Sequence, residues 1–221
     1  MQEFLGFTFN SKQMQISMPQ KKMSKLMSRI KQLFKDLEVT YSCRWMASLL
    51  GKITAMIPAI GEALLRIRFL QRGLAMNLRR QQYNWEKLCP LSAQSWNELQ
   101  WWTENVQISN GLPIKIDTDI RELDISIHVE ASDTEWGITS KEVETYGFWS
   151  EVESGTSISL WELKTILFAL QLHAQKFRNS LIHMYIDNMA VLKHVKKSGG
   201  TTSALLQTLS LEYSKSSRST N

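Results

Sequence analysis

LDISIHVE, residues 123–130, is the stretch on which the fold turns. Leu123, Ile125, Ile127 and Val129 alternate with Asp124, Ser126, His128 and Glu130. A period of two puts the apolar set on one face of a β-strand and the polar set on the other. The strand ends on a carboxylate, followed by Ala131-Ser132-Asp133 and then Trp136-Gly137. Spans 136–141 and 144–149 read as two further strands, close enough in sequence to form antiparallel hairpins. Leu163, Ile166, Leu167 and Leu170 recur at helical spacing, which predicts a helix over 160–177. In the strand over 181–187 that follows, Leu181, His183, Tyr185 and Asp187 share a face. Three antiparallel strands, a crossover helix and a strand parallel to the first make a mixed α/β layer. A helix over 188–197, the loop Ser198-Gly199-Gly200-Thr201 and a helix over 203–213 follow, and the tail SKSSRSTN reads as disordered.

Upstream of this layer the period is helical. Phe4-Leu5-Gly6-Phe7 and residues 14–18 flank Asn10-Ser11-Lys12, which predicts a hairpin stopped by Pro19. Helices are expected over 20–37, 40–57 and 60–80, punctuated by Pro58 and Gly61, and over 92–106 with Ser92 as N-cap. Trp96, Trp101 and Trp102 on the last of these read as core residues, with base-stacking platforms as the alternative. Residues 107–121, with the turn Asn110-Gly111, read as a linker. The expected architecture is α+β: a hairpin and helices over 1–106, then an α/β layer over 122–213, with 214–221 as tail.

Charge divides along the same line. Residues 1–118 carry 16 Lys and Arg against 8 Asp and Glu, a net +8, and residues 119–221 carry 10 against 13, a net −3. A basic helical half joined to a carboxylate-bearing half fits a polyanion-binding surface beside an acidic site, and a solvated basic surface is the plainer alternative. The candidate phosphate contacts are Lys21, Lys22, Lys25, Arg29, Arg66, Arg68, Arg72, Arg79 and Arg80, with Lys196 and Lys197 beside the glycine loop. That loop lacks the Gly-Lys-Ser/Thr ending of a nucleotide-binding P-loop and reads as a turn closing the preceding helix. The longest central uncharged stretch, 53–61, is too short to span a bilayer. The start of the chain lacks the pattern of a signal peptide, and Cys43 and Cys89 stand apart in sequence. These features predict a cytoplasmic or nuclear chain, not secreted, in a reducing compartment.

Three acids occupy suggestive places. Glu130 and Asp187 end strands expected to be parallel neighbours, and both emerge at the carboxyl edge, where open α/β sheets hold their sites. Glu162 opens the crossover helix beside its apolar stripe. Converging carboxylates repel without a cation, and Mg²⁺ takes oxygen ligands. Two such ions, roughly 3.5–4 Å apart, activate water in phosphodiester hydrolysis. Each acid also has a structural alternative. Ser159-Leu160-Trp161-Glu162 has the form of a capping box, Asp187 can cap the next helix, and Glu130 can be loop solvation.

In order, FLGF, ISMPQKK, ASLLGKITAMIPAI, LSAQSWNELQWWTENV, EASDTEWG, LWELKTILFAL and IDNMAVLKHVKKSGGTTSALL resemble the polyprotein of DIRS-like, tyrosine-recombinase retrotransposons over residues 4–213. The resemblance implies the end of a reverse transcriptase palm, thumb and connection helices, and an RNase H-like domain. RNase H domains use four acids and two Mg²⁺ ions to cut the RNA strand of an RNA–DNA hybrid. Onto that pattern Glu130 maps where the family has Asp, Glu162 maps within Trp161-Glu162-Leu163, and Asp187 maps within Asp187-Asn188. The fourth acid, in an Ala-Asp-x-Leu-Ser segment, has no counterpart in these 221 residues. Glu135 stands where the family has Gly. The resemblance therefore implies nucleic acid as partner, Mg²⁺ as cofactor and impaired nuclease chemistry.

Overall fold

The computed structural model describes residues 1–35, 41–114, 125–173 and 182–218. The chain divides into two compact units, Met1–Ile116 and Asp117–Asn221.

In the first unit, strands β1 (Gln2–Phe4), β2 (Phe7–Asn10), β3 (Gln15–Ser17) and β4 (Leu112–Pro113) form an antiparallel sheet in that order. One hairpin was expected here and two are found. Leu5 and Gly6 both take positive φ, 48° and 78°, the pair of left-handed residues that a two-residue hairpin turn requires. FLGF therefore breaks between its phenylalanines. β4 lies inside the span expected as linker. Asn110 fixes the chain there, accepting from the Met18 N–H at 2.8 Å and donating to the Met18 carbonyl at 3.1 Å. The remainder of the expected linker, 115–121, lies outside the described residues.

Helix α1 (Gln20–Lys35) buries Met23, Leu26, Ile30 and Leu33, as its spacing predicts; positions 36 and 37 are outside the described residues. Helix α2 (Cys43–Thr54) starts at Ser42, whose hydroxyl accepts from the Trp45 N–H. The helix expected over 60–80 starts later. Pro58 sits in a 3-10 turn (Ile57–Ala59), Ile60 bridges to Asn110, and a second 3-10 turn (Leu65–Ile67) leads into α3 (Arg68–Arg80). Helix α4 (Ala93–Asn105) has Ser92 as its N-cap, as expected. From α4, Glu98 accepts from the N–H groups of Phe69 and Leu70 at 2.9 and 2.8 Å, satisfying two free donors of the first turn of α3. Trp102 is fully buried and donates to the Arg66 carbonyl at 2.9 Å, while Trp96 packs on Phe34. The core reading of these tryptophans therefore holds.

In the second unit, β5 (Ile125–Ala131), β6 (Glu135–Ser140), β7 (Glu144–Phe148) and β8 (Ile182–Tyr185) form a sheet in the order β7-β6-β5-β8. The β5–β6 and β6–β7 pairs are antiparallel, and β5–β8 is parallel, in register from Ile125↔Ile182 to His128↔Tyr185. This is the mixed sheet the sequence predicts. Trp136 lies opposite Gly147, where a Cβ would stand 2.7 Å from the indole, so glycine is needed there. A short helix α5 (Glu151–Ser154), absent from the sequence reading, precedes the crossover helix α6 (Ile158–His173). Helix α5 has a capping box of Ser150 with Glu153, whereas Ser159 and Glu162 both lie inside α6, so the capping-box alternative for Glu162 does not hold. Leu163, Ile166 and Ala169 of α6 pack on Ile125, Ile127, Val129 and Ile138. Helix α7 (Met189–Lys196) closes with Ser198 and Gly199 at φ 51° and 91°, the Gly199 N–H reaching the His194 carbonyl at 2.9 Å. Helix α8 (Ala204–Arg218) runs through the start of the expected disordered tail. Its turns continue because Ser210 and Ser214 are buried on it, and polarity alone hid that.

Candidate functional site

The parallel register fixes where the acids stand. Two residues beyond the last ladder pair, His128↔Tyr185, come Glu130 and Asp187. Both are exposed and lie at matching strand ends. Strand alternation sends Glu130 to the face opposite α6, in line with Gly137 and Tyr146 across the sheet. There it lines a hollow of about 300 Å³ with Ser132, Glu135, Trp136 and Tyr146.

Glu162 lies on the other side, in the second turn of α6, and is 6% exposed. Its Oε1 accepts from the Asn188 side-chain amide at 3.2 Å, and its Oε2 is buried with no hydrogen-bond partner. Burial pushes its carboxyl above the ordinary carboxylate value; the Asn188 bond opposes this, and the nearby charge of Asp187 adds to it. Asn188 also caps α7, accepting from the N–H groups of Ala190 and Val191. The cap that stood as the alternative role of Asp187 thus belongs to its neighbour, and the charge of Asp187 acts on Glu162. Among the described residues, no group of three or more His, Cys, Asp or Glu side chains is placed to hold a metal ion. The charge of Asp187 reaches Glu162, whereas Glu130 lines the hollow beside Tyr146 on the side of the sheet away from α6.

The basic residues divide in the same way. Lys21, Lys22, Lys25, Arg79, Arg80, Lys196 and Lys197 are exposed. Lys22 donates to the Gly6 carbonyl at 2.9 Å, and Arg29 lies 5.2 Å from the Trp45 ring centroid. Arg72 is half-buried. Arg66 is spent internally, paired with Glu62 at 2.9 Å and stacked 5.1 Å from the Trp101 centroid. Burial holds the Arg68 guanidinium below its ordinary value, partly offset by the charge of Glu98. Helical spacing cannot separate these two from surface cations, because their acidic and aromatic partners come from other turns.

Sequence reading also missed Asn188 as a ligand of Glu162, although its place beside Asp187 was a usable signal. No protein-family model matches the chain, and no curated protein matches it. Similar solved structures include the foamy viral protease-reverse transcriptase in complex with an RNA/DNA hybrid, at 14% identity and TM-score 0.38, covering 96% of this chain and 27% of that one. The same viral protein in complex with dsDNA is 13% identical, with TM-score 0.36, over 96% of this chain and 42% of that one. The chain thus spans less than half the length of these structures.

Proposed function

We propose that this chain corresponds to part of a DIRS-like retroelement reverse transcriptase: the end of a palm, thumb and connection helices, and an RNase H-like domain. Its ancestral chemistry is hydrolysis of the RNA strand of an RNA–DNA hybrid, impaired in this sequence. One observation carries the reading. The parallel β5–β8 pair with its α6 crossover sets Glu130 and Asp187 at matching strand ends and Glu162 against Asp187.

The donor set suits a hard cation in part. Glu162 and Asp187 offer oxygen, burial and then the charge of Asp187 hold the Glu162 carboxyl above its ordinary value, and Glu162 Oε2 has no partner. These two would hold one Mg²⁺, which when bound supplies charge stabilisation to a phosphoryl oxygen. Asn188 orients Glu162 by its 3.2 Å bond. Glu130 is a methylene longer than the family's aspartate, and its carboxylate heads for the opposite face. A displacement of ~1 Å in such a site costs ~100-fold in rate.

The test is cleavage of an RNA–DNA hybrid in Mg²⁺ by the chain and by its Glu130→Asp, Glu162→Gln and Asp187→Asn variants, with Mg²⁺-dependent thermal shift as a second readout. We expect trace cleavage, little gain from Glu130→Asp, and loss of the Mg²⁺ shift in Glu162→Gln and Asp187→Asn. A Mg²⁺ shift and cleavage indifferent to both of those variants would sink the assignment. A second reading, a non-catalytic nucleic-acid-binding module, is favoured by the absence of a three-acid group among the described residues. Binding of hybrid without any Mg²⁺ effect would select it.

A further inference from the structure

Residues 81–88 follow α3 and fold back on the start of α2. Gln82 and Tyr83 take positive φ, 52° and 60°, a conformation that side chains resist. The loop is pinned along its length. The Tyr83 N–H donates to the Leu78 carbonyl at 2.7 Å, and the Gln81 amide to the Leu88 carbonyl at 2.8 Å. The N–H groups of Cys43 and Arg44 donate to the carbonyls of Lys87 and Trp85, both at 2.9 Å. The loop backbone thereby caps α2.

Capping needs only the main chain, so it does not account for the side chains. Tyr83 is 64% exposed and Trp85 is 40% exposed. Among the described residues, neither ring stacks on another ring or beneath a cation. Cations flank both. Arg79 and Arg80 end α3 just before Tyr83, Lys87 follows Trp85, and all three are exposed. The only acid in the loop, Glu86, is ion-paired with Arg44. Large rings on a fixed backbone among cations match the two faces of a nucleotide strand, flat bases and anionic phosphates. Because the loop is held before binding, little ordering cost opposes the contact.

We propose that Tyr83 and Trp85 are a stacking platform for unpaired nucleotide bases, with Arg79, Arg80 and Lys87 on the phosphates of the same strand. The proposal rests on the nucleic-acid reading above and adds to it a preference for single-stranded segments.

The experiment is fluorescence anisotropy over a salt series, using an oligothymidylate of about 20 nucleotides, a length that exceeds one stacking site, and a blunt RNA–DNA hybrid of equal length. Four full-length variants are compared with the unmodified chain. Tyr83→Asn with Trp85→Ala removes both rings, asparagine being chosen because it tolerates positive φ. Trp85→Phe and Tyr83→Phe each keep a π-face, and Arg79→Ala with Arg80→Ala removes two cations. Removing the rings should weaken single-strand binding roughly tenfold or more and leave its salt slope unchanged. The blunt hybrid should be little affected, and each phenylalanine variant should keep most of the single-strand affinity. The arginine double variant should reduce the single-strand slope by about 1.4. Melting curves by circular dichroism should be unchanged for every variant. Unmodified protein that binds neither probe overturns the nucleic-acid reading and this proposal together. Binding of both probes with no single-strand loss in the ring variant, or with equal loss on hybrid, overturns the platform alone. Loss of self-association at unchanged oligonucleotide affinity, seen by sedimentation, makes the rings a protein interface and also overturns it.

Discussion

Glu98 shows how one residue can hold a structure and tax it at the same time. It is 3% exposed, and its carboxyl is pushed up from the ordinary 4.5 to about 7. Burial raises it, against the lowering effect of the Phe69 and Leu70 N–H groups and of Arg66. Between about pH 4.5 and 7 the folded chain keeps a proton that the unfolded chain has released, so stability falls as pH rises through that window and levels off above it. The full effect is on the order of 3 kcal/mol. Denaturant midpoints followed by tryptophan fluorescence should be higher at pH 5 than at pH 8, and Glu98→Gln should flatten the difference. An unaltered pH dependence in Glu98→Gln would remove Glu98 from the explanation. The sequence shows Glu98 only as a polar position between Trp96 and Trp102, because its partners lie on another helix. The cysteines teach the same lesson. They are distant in sequence, yet the bonds from Cys43 N–H to Lys87 and from Cys89 N–H to Tyr41 bring them together, both fully buried. Burial, and then the neighbouring Cys43, push the Cys89 thiol up to about 12. Both cysteines are shut away from reagent by burial, and Cys89 is further held as the unreactive thiol, so both should resist alkylation in the native state and label on unfolding, as pulsed labelling with mass spectrometry would read. Rapid native labelling of Cys89 would contradict this burial.

At the scale of elements, local pattern and long-range partnership account for different parts of the fold. The sheet of the second unit was legible because period-two alternation is a local property of LDISIHVE, and its helix partner repeats every three to four residues. Parallel pairing of β5 and β8 then followed from the helix between them. The start of α3, the strand β4 and the helix α5 were not legible. Each depends on a group remote in sequence or on a cap that lacks a hydrophobic run. β4 is the sharpest case, since Asn110 replaces a strand neighbour by bonding both the N–H and the carbonyl of Met18. Asn110→Ala leaves two part-buried backbone groups without partners and should cost about 1–3 kcal/mol. Hydrogen exchange at Met18 and Ile16 should accelerate, while exchange in the β5–β8 ladder of the other unit should stay as it was. Equal acceleration in both units would show that the loss is global rather than local to β3–β4. The strand-end positions of Glu130 and Asp187 were legible, and the side of the sheet that each candidate acid takes was not. Sequence marks the strand ends, but only register and alternation reveal that Glu130 and Glu162 face opposite sides of the sheet.

Over the whole molecule the division of charge coincides with the division into units, and the two follow from different demands. The sheet unit concentrates acids at strand ends, whereas the helical unit spreads cations over surfaces left free by its core. Net charge overstates the binding surface, because some cations are structural. Arg66 is 12% exposed at its side chain, paired with Glu62 and stacked on Trp101, and its carbonyl holds Trp102. Lys21 and Lys25 are exposed on α1, and no acid pairs with them among the described ion pairs. Binding of a hybrid by counterion release weakens linearly on a log–log salt plot, with a slope of about 0.9 per phosphate neutralised. Lys21→Ala with Lys25→Ala should therefore lower the slope by up to about 1.8 and leave the melting temperature in place. Arg66→Ala should do the reverse. It removes the part-buried ion pair with Glu62 and strips the cation from Trp101, so the melting temperature should drop at an unchanged slope. Measuring both quantities for both variants separates a phosphate contact from a structural cation. If Arg66→Ala reduced the salt slope as much as the lysine pair does, the helical unit would have to open on binding to release Arg66.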